Sequence, residues 1–479
     1  TMLEAQPPEQ MHATGSAPPE QIDTADATMP PEQVDNPDAA NREDARAAIA
    51  TELRDAHRAR GRRHLEPSDA LFMHGALYKG PVRRPKVLWK SDKKPRSDHK
   101  ASDWLTATEF EDQPEVARCK VAQLAELMRL SRHTVVYSGA GISASAVGQA
   151  ARSGTNTVGF SGGEHYAQPT PTHHALAALG RTGWVHGWVQ QNHDGLPQKA
   201  GFPQEAICEV HGSWYDPSNP VVKYCGSLKD HEEQWMDRET EAADLVLVIG
   251  TSLGGLYADQ TATECCERAA AGASLGGVII NLQQTDEDGK MTLSCKGKSD
   301  NVLQLLLAEL GLPPLDPRKS SAVIWPEVTC ALVPYDARGR RLPEGSTAPR
   351  MWLDLRLGAK IKLTAGHNHQ GAKQPSTMHV GARKGQKFHG EALRNVGPGR
   401  GSVLKRDDPT SSIRLIIEGA PMKLGAWWMD AAMRGGPEIL PIVNIEPLFE
   451  DSPDPSAGGR GERPPAAAKR KPAVTKSCK

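Results

Sequence analysis

The sequence has few cysteines, almost no net charge and no long apolar run. Its eight cysteines include no C-x-x-C pair, which argues against both a disulfide framework and a zinc ribbon. No apolar run approaches the ~18–20 residues that a membrane-spanning helix needs, and the polar, acidic N-terminus does not resemble a signal peptide. We therefore expect a soluble, intracellular protein. The net charge of −1 excludes a uniformly basic nucleic-acid binder, although local basic segments exist.

Composition divides the 479 residues into a folded centre and two polar ends. Residues 1–66 begin with three Pro-Pro-Glu-Gln copies and predict a disordered, acidic, proline-rich tail. Residues 67–112 form a basic N-terminal extension, and its run from Lys79 to Lys100 is either a hydrated linker or an arm that binds phosphate groups or an acidic partner. Residues 451–479 predict a second disordered tail, which is basic.

Between these ends, helical and strand patterns alternate from residue 113 to 314. Apolar residues recur at helical spacing from Ala117 to Met128 and precede the β-branched run Thr134–Val136. Further helices are predicted at Thr172–Leu179, Ala258–Ala271 and Val302–Leu310, and further strands at Trp184–Gln190, Asp244–Ile249 and Val278–Asn281. This order predicts an α/β fold with a doubly wound, Rossmann-like parallel sheet. Residues 321–448 hold short β-rich runs and predict a separate β-rich domain of unknown role.

A glycine-rich turn follows the first predicted strand of this sheet. Ser138-Gly139-Ala140-Gly141-Ile142-Ser143-Ala144 fits the pattern G-x-G-x-x-A. Such glycines let the backbone approach a pyrophosphate, whose charge is met by backbone N–H groups and by the N-terminus of a following helix. A glycine turn without a ligand is the alternative, because the acidic residue that dinucleotide folds place ~20 residues further on is not evident.

Polar residues follow another predicted strand and a nearby loop. In Gln191-Asn192-His193-Asp194-Gly195, an amide and a carboxylate two residues apart can both face one small polar group, such as a carboxamide, although Asn-x-Asp-Gly is also ordinary turn chemistry. His211, in Glu209-Val210-His211-Gly212, is a candidate general base because imidazole titrates near neutral pH. The alternative is a structural histidine.

Two more strand ends present small polar groups, in Gly250-Thr251-Ser252-Leu253 and Asn281-Leu282-Gln283. Their hydroxyls, amides and bare backbone suit phosphate, ribose and adenine edges, although each could be a plain strand end. Ligands of open α/β sheets bind at the carboxyl ends of the strands, so these residues are expected to meet at one crevice.

Taken in order, the motifs G-A-G-I-S, Q-N-x-D-G-L, H-G, G-T-S-L and N-L-Q resemble the sirtuins, which are NAD-dependent protein-lysine deacylases, over about residues 113–314. Pro169–His173, Gly201–Pro203 and Leu307–Leu312 look most like the class IV, chromatin-associated branch. The resemblance implies NAD as the cofactor, His211 as the catalytic base, and a nicotinamide pocket made by Asn192 and Asp194, with Asn192 also catalytic.

The resemblance further implies a set of cofactor-binding residues drawn from these motifs. They are Gly139, Ala140, Gly141, Ile142, Ser143, Arg152, Gln191, Asn192, Asp194, Gly250, Thr251, Ser252, Asn281, Leu282, Gln283 and Lys298. The implied reaction moves the acyl group of a modified lysine to ADP-ribose and releases nicotinamide.

The sequence departs from the sirtuin pattern in two loops. Where the family has Pro-Asp-Phe-Arg, this chain keeps Arg152 but has Ala150 and Ala151 in place of the acid and the aromatic ring. Loss of the ring that shields the reacting sugar predicts slow catalysis or diversion to NAD hydrolysis. Gly254–Tyr257 replaces a segment that helps to clamp the peptide, which predicts weaker peptide binding.

A third departure concerns zinc. The family builds a zinc module from two C-x-x-C pairs between H-G and G-T-S-L, but Cys225 is the only cysteine between Gly212 and Gly250. We therefore predict no metal site and a reduced small domain that lacks the zinc ribbon. Three aromatic residues are expected to pack it instead: Trp214, Tyr215 and Trp235.

These observations favour an NAD-dependent protein-lysine deacetylase or deacylase. The alternatives are a catalytically weak NAD- or ADP-ribose-binding module and an ADP-ribosyltransferase or NAD hydrolase. The expected partner is an acylated-lysine protein such as a histone, with chromatin association through the basic segments and no membrane. The class IV resemblance and the basic cluster Lys469–Pro472 predict a nuclear location, with the cytoplasm as the alternative.

Overall fold

The computed structural model describes residues 37–61, 69–90, 108–147, 164–222, 228–315, 329–364, 399–453 and 455, and the account below concerns these residues. The chain divides into two compact units, Thr1–Asp44 and Ala45–Lys479. The described part of the first unit is the beginning of a helix, and the second contains the sheets and the candidate site. None of the described helices is both long and apolar enough to cross a bilayer.

The described residues contain α-helices and β-strands in a mixed order. The helices are α1 Pro37–Arg60, α2 Ala70–His74, α3 Pro114–Leu130, α4 Pro171–Arg181, α5 Leu196–Lys199, α6 Asp230–Ala242, α7 Gln260–Ala270, α8 Ser299–Glu309 and α9 Trp427–Arg434. The strands are β1 Lys86–Lys90, β2 Thr108–Glu111, β3 Thr134–Ser138, β4 Gly187–Gln190, β5 Ile207–Glu209, β6 Leu245–Ile249, β7 Gly276–Asn281, β8 Leu293–Lys296, β9 Cys330–Val333, β10 Met351–Asp354, β11 Lys360–Leu363, β12 Arg400–Asp407, β13 Ser412–Ile417, β14 Ala420–Gly425 and β15 Ile442–Asn444.

A six-stranded parallel sheet forms the centre of the second unit. Its order is β5-β4-β3-β6-β7-β8, and each neighbouring pair is parallel. The predicted doubly wound parallel sheet is confirmed, and its strand order reverses between β3 and β6. The bounds of its strands differ from the prediction by one to three residues, most at the start of β4. Trp184 and Val185 do not belong to β4, because both donate their N–H groups to the Leu179 carbonyl oxygen at the end of α4.

The central strands alternate between two apolar cores. Val136 and Leu247 pack in one core with residues of α3, α4 and α8. Val135 and Val246 pack in the other with residues of α6 and α7. Because both faces are covered by helices, these strands are continuous apolar runs rather than alternating ones.

The C-terminal region is β-rich, as predicted. Five antiparallel strands are ordered β14-β13-β12-β11-β15, and β9 pairs with β10 in a separate ribbon. Its apolar core includes Leu415 and Val443 from the strands and Met429 from α9. Tyr215, from the parallel-sheet region, belongs to the same core and is fully buried. The two regions therefore share packed surface.

Two predictions for the N-terminal segments need correction. The predicted disordered tail through residue 66 is wrong over Pro37–Arg60, which is a helix, and Leu53 of this helix is buried beside Leu77 and Ala269. Within the basic run, Lys86–Lys90 is a strand that pairs antiparallel with β2 rather than a linker. The charged composition concealed both elements. The helix buries Leu53 and the strand pairs with β2, but most side chains of both elements stay in solvent, so the sequence there is mainly polar.

Candidate functional site

Two glycines bring neighbouring loops into backbone contact where the strand order reverses. The turn after β3 and the loop after β6 are joined by a 2.7 Å hydrogen bond from the Gly141 N–H to the Gly250 carbonyl oxygen. A Cβ at Gly141 would lie 2.7 Å from the Gly250 Cα, and Gly250 itself has a φ of +62°. Any larger residue would push the loops apart, so glycine is required for this approach.

The sequence predicted a helix directly after the turn that ends β3, and the structure differs there. Ala140–Ile142 form a single 3-10 turn. The Gly139 N–H donates to the Ile249 carbonyl oxygen, and the Gly141 N–H donates to the Gly250 carbonyl oxygen. Through Val147, the last described residue of this segment, no α-helix follows the turn, and the N–H groups of Gly139 and Gly141 hold the crevice together.

Asn192 is held by a chain of buried hydrogen bonds. Its Nδ2 donates to the Gly139 carbonyl oxygen at 3.0 Å and to Ser143 Oγ at 3.1 Å. Ser143 Oγ lies 3.4 Å from Nε2 of His173. His173 accepts the Thr170 backbone N–H at Nδ1, at 3.1 Å, so its proton is on Nε2 and points to Ser143. Burial lowers the pKa of His173 to about 3, which keeps the ring neutral.

Asp194 is buried with one oxygen unpaired. Its Oδ1 accepts the Leu196 N–H at 3.0 Å, whereas Oδ2 has no hydrogen-bond partner. Burial raises the pKa of Asp194, and the Ser143 hydroxyl and the Leu196 N–H oppose that rise. A buried polar atom without a partner costs free energy unless a ligand supplies the missing group. Oδ2 therefore suits a ligand N–H donor such as a carboxamide.

Gln191 is tied to a polar pair that sequence reasoning missed. Its Nε2 donates to the Tyr137 hydroxyl, which donates in turn to Asp259 Oδ1 at 2.7 Å. Asp259 Oδ2 accepts the N–H groups of Gly255 and Leu256 at 2.8 and 2.9 Å. The one available signal was a tyrosine in a strand predicted to be buried, since a buried hydroxyl needs a partner.

His211 lies on the loop after β5, half-buried beside a second histidine. Burial, with a smaller effect of His193, lowers the pKa of His211 to about 4, against the effect of a hydrogen bond with the Gln191 backbone. The ring is thus neutral at physiological pH and can accept a proton. His193 itself contacts the Gly212 carbonyl oxygen through Nδ1 at 2.9 Å, so Nδ1 carries its proton.

The loops after β6 and β7 are joined by one side chain. Asn281 Nδ2 donates to the Thr251 carbonyl oxygen at 2.9 Å, which fixes the second half of the crevice. Leu282 does not join these two loops. Its carbonyl oxygen accepts the Phe110 N–H of β2 at 2.8 Å. Gln283 forms a backbone bridge with Glu109 of the same strand. The structure therefore ties these two predicted residues to the N-terminal extension.

The remaining predicted positions are dispersed. Lys298 immediately precedes α8, and Ser252 is exposed. Arg152, with Ala150 and Ala151, and Cys225 lie outside the described residues. Within the described ranges, no three His, Cys, Asp or Glu side chains are grouped so that they could hold a metal ion. The absence of structural zinc stays a prediction.

The chain has relatives among known proteins. It is 32% identical over 256 residues to the NAD-dependent protein deacetylase SRT1 of Oryza sativa subsp. indica, covering 43% of this chain and 52% of the rice protein. It is 31% identical over 249 residues to the mouse NAD-dependent protein deacetylase sirtuin-7, covering 42% of this chain and 62% of the mouse protein. It is 26% identical to the NAD-dependent protein deacylase 2 of Pyrobaculum aerophilum, covering 39% of this chain and 94% of that protein.

The similarity to the rice and mouse proteins thus spans only about half to three-fifths of their lengths. Among solved structures, a Sir2 enzyme structure matches 40% of this chain and 97% of its own chain at 25% identity, with a TM-score of 0.34. A structure of Sir2Tm bound to a propionylated peptide matches 40% of this chain and 100% of its own at 20% identity, with a TM-score of 0.34. No protein-family model matches the chain.

Proposed function

We propose that the chain is an NAD-dependent protein-lysine deacylase of the sirtuin family, because the stretch that aligns with the rice and mouse deacetylases carries the motifs of that family. The reaction would transfer the acyl group to ADP-ribose and release nicotinamide. One observation supports this function above the others. Asn192, Asp194 and the loops of Gly141 and Gly250 meet at the point where the strand order reverses, which is where open α/β sheets bind nucleotides.

The residues present fit NAD. The unpaired Asp194 Oδ2 is an acceptor that matches the N–H donors of a carboxamide. Asn192 would form the other part of the nicotinamide pocket, and the loops at Gly139–Ser143 and Gly250–Ser252 would hold the phosphates and ribose. When bound, NAD would supply a sugar whose nicotinamide can leave and which can receive an acyl group.

The side chains of the site would bind, orient and move one proton. Because both N–H groups of the Asn192 amide are used on Gly139 and Ser143, this side chain keeps one orientation without any ligand. His211 would accept a hydroxyl proton at an imidazole nitrogen, since its lowered pKa leaves that nitrogen free. Asn192 and Asp194 are themselves buried, so bulk water would not compete for their polar atoms.

The substrate and location belong to the same proposal. The rice and mouse relatives are named NAD-dependent protein deacetylases, which supports an acylated-lysine protein as the substrate, and the resemblance to the chromatin-associated branch favours a histone. Chromatin association and nuclear residence rest on the class IV resemblance and the basic Lys469–Pro472 cluster, and the absence of zinc rests on the missing cysteine pairs. Imaging of the tagged chain with and without Lys469–Pro472 tests the location.

Turnover of NAD with an acetylated histone peptide tests the activity. We expect O-acetyl-ADP-ribose and nicotinamide as products. His211→Ala should lower their formation by about 100- to 10,000-fold, the usual contribution of a general base, while NAD affinity measured by calorimetry changes little. His174→Ala, a half-buried histidine on α4, is the matched control. Unchanged turnover in His211→Ala would refute the assigned base, and free ADP-ribose as the only product would indicate NAD hydrolysis.

A further inference from the structure

An acidic cavity lies between the β5–α6 segment and the end of α9. Its volume is about 250 Å³, several times the ~30 Å³ that one water occupies in the liquid. Six carboxyl groups line it, from Glu205, Glu209, Asp216, Glu232, Glu239 and Glu438, together with the guanidinium group of Arg238 and the ring of His231. Two of these acids are already paired, Glu205 with Arg434 and Glu239 with His133. None of the lining residues belongs to the candidate NAD site.

Three buried acceptors that line this cavity have no partner, on Glu205, Glu209 and Asn219, and one buried donor, the Trp428 indole N–H, also has none. Glu209 is 3% exposed and its Oε1 makes no hydrogen bond. Asn219 is 2% exposed, and its Oδ1 is also unpaired. The Asn219 amide cannot be reversed to hide this oxygen, because its Nδ2 donates to the Glu209 carbonyl oxygen at 3.0 Å. Glu209 Oε1 and Asn219 Oδ1 thus each lack a donor among the described residues.

We propose that this cavity binds a guanidinium group, either an arginine side chain of a peptide or a small guanidino compound. A guanidinium has five N–H donors in one plane and can serve Glu209 and Asn219 together. It also stacks on aromatic rings, and Trp235 and Trp428 line the same cavity. Within the described ranges, no three acidic or histidine side chains are grouped to hold a metal ion, which favours an organic cation.

The charges around the cavity agree with a cationic ligand. Burial, aided by Asp216 and Glu232, raises the pKa of Glu209 well above its usual range, against the opposing effect of hydrogen bonds from Ser213 and Gln198. Burial also raises the pKa of Glu232 to about 7, although the neighbouring Lys229 opposes the rise. A bound cation would favour the ionised form of these carboxyl groups and so gain an attraction that the empty cavity lacks.

Calorimetry on the full chain tests the proposal with three probes. Agmatine represents a free guanidino compound, and the blocked peptide acetyl-Gly-Arg-Gly-amide represents an arginine side chain. Tetramethylammonium has the charge but no N–H donors. We expect agmatine, the peptide or both to bind, and tetramethylammonium to bind at least about tenfold more weakly, since it cannot donate hydrogen bonds to the carboxyl groups. Tighter binding of one guanidinium probe identifies the source.

Three variants locate the binding. Glu209→Gln should lower the affinity for the guanidinium probes by at least about tenfold. Glu438→Gln, at the exposed mouth of the cavity, should lower it by about two- to threefold. Glu264→Gln, an exposed acid on α7, should have no effect. If Glu209→Gln does not fold, hydrogen exchange must still show slower exchange of β5 and α6 when agmatine is added to the native chain. Absence of guanidinium binding, equal binding of tetramethylammonium, or competition by Mg²⁺ at equal concentration would each overturn the proposal.

Discussion

Burial is the largest cause of pKa change at Asp194, His173 and His211. It acts in opposite directions on acids and bases, because it disfavours whichever form is charged. Both histidines are therefore neutral. His173 can hold its hydrogen bond to Ser143, and His211 can accept a proton. At Asp194, the same effect leaves an acceptor whose missing partner a ligand would supply.

Asp194→Asn tests the use of that acceptor. The amide has nearly the same shape but replaces one carboxylate oxygen with an N–H donor, which faces the N–H donors of a carboxamide unfavourably. We expect the KM for NAD and the inhibition constant of nicotinamide to rise by about tenfold or more, corresponding to a lost hydrogen bond to a charged group. Asp230→Asn, an exposed acid on α6, is the matched control. Unaltered constants would show that Oδ2 does not face the nicotinamide.

The sequence predicted the site residues that directly follow a strand. It did not predict residues whose partners are far away along the chain. Asn192, Asp194 and Gly250 follow buried strands whose carboxyl ends share one edge, so their proximity follows from fold class. Asp259, which holds Gln191 through Tyr137, is more than 60 residues away along the chain and has no motif. Only the folded chain brings these groups together.

Among the helices and strands, those with a clear local pattern were predicted and those without one were missed. α4 and α7 were predicted close to their observed bounds because their apolar residues repeat at helical spacing. α6 was missed because its buried stripe is Glu232, Met236 and Thr240, which has the right spacing but two polar members. β5 was missed because three residues are too few for a periodic pattern.

Helix α4 supplies a test at the scale of the element, since its His173 supports Ser143 and, through it, Asn192. The pKa of this ring is lowered to about 3, so it is neutral in the folded chain at pH 5, whereas in the unfolded chain it is charged below about 6.5. Protonation of the unfolded state thus removes stability as the pH falls from about 6.5 towards 3.

We expect the free energy of unfolding to fall from pH 7 to pH 5 by about 2 kcal/mol more in the native chain than in His173→Gln, which lacks this group. Urea unfolding at both pH values measures the difference. His174→Gln, at the neighbouring half-buried position, should change the pH dependence less. An equal fall in the native chain and in His173→Gln would mean that the buried ring is not neutral.

On the scale of the whole molecule, the C-terminal region supports the segment that follows the candidate site. The Tyr215 carbonyl oxygen accepts the Gly425 N–H at 2.8 Å, and the Trp427 ring lies edge-on to the Tyr215 ring at 5.4 Å. Trp427 also donates its indole N–H to Gln204 Oε1 at 2.7 Å. A Cβ at Gly195, next to Asp194, would touch both rings. The sequence predicted separate domains because long-range packing of two aromatic rings leaves no local pattern.

Trp427→Ala tests whether the two regions unfold together. The ring is 8% exposed, and its removal should cost about 3–5 kcal/mol, as for other buried tryptophans. Because Trp427 packs on residues of both regions, we expect one cooperative urea transition with a lower midpoint, followed by both far-ultraviolet circular dichroism and tryptophan fluorescence. Leu357→Ala, at a position 76% exposed in the same β-rich region, should leave the midpoint unchanged. Two transitions, of which Trp427→Ala shifts only one, would instead mean that the C-terminal region folds as an independent domain and that its contact with Tyr215 contributes little to the candidate site.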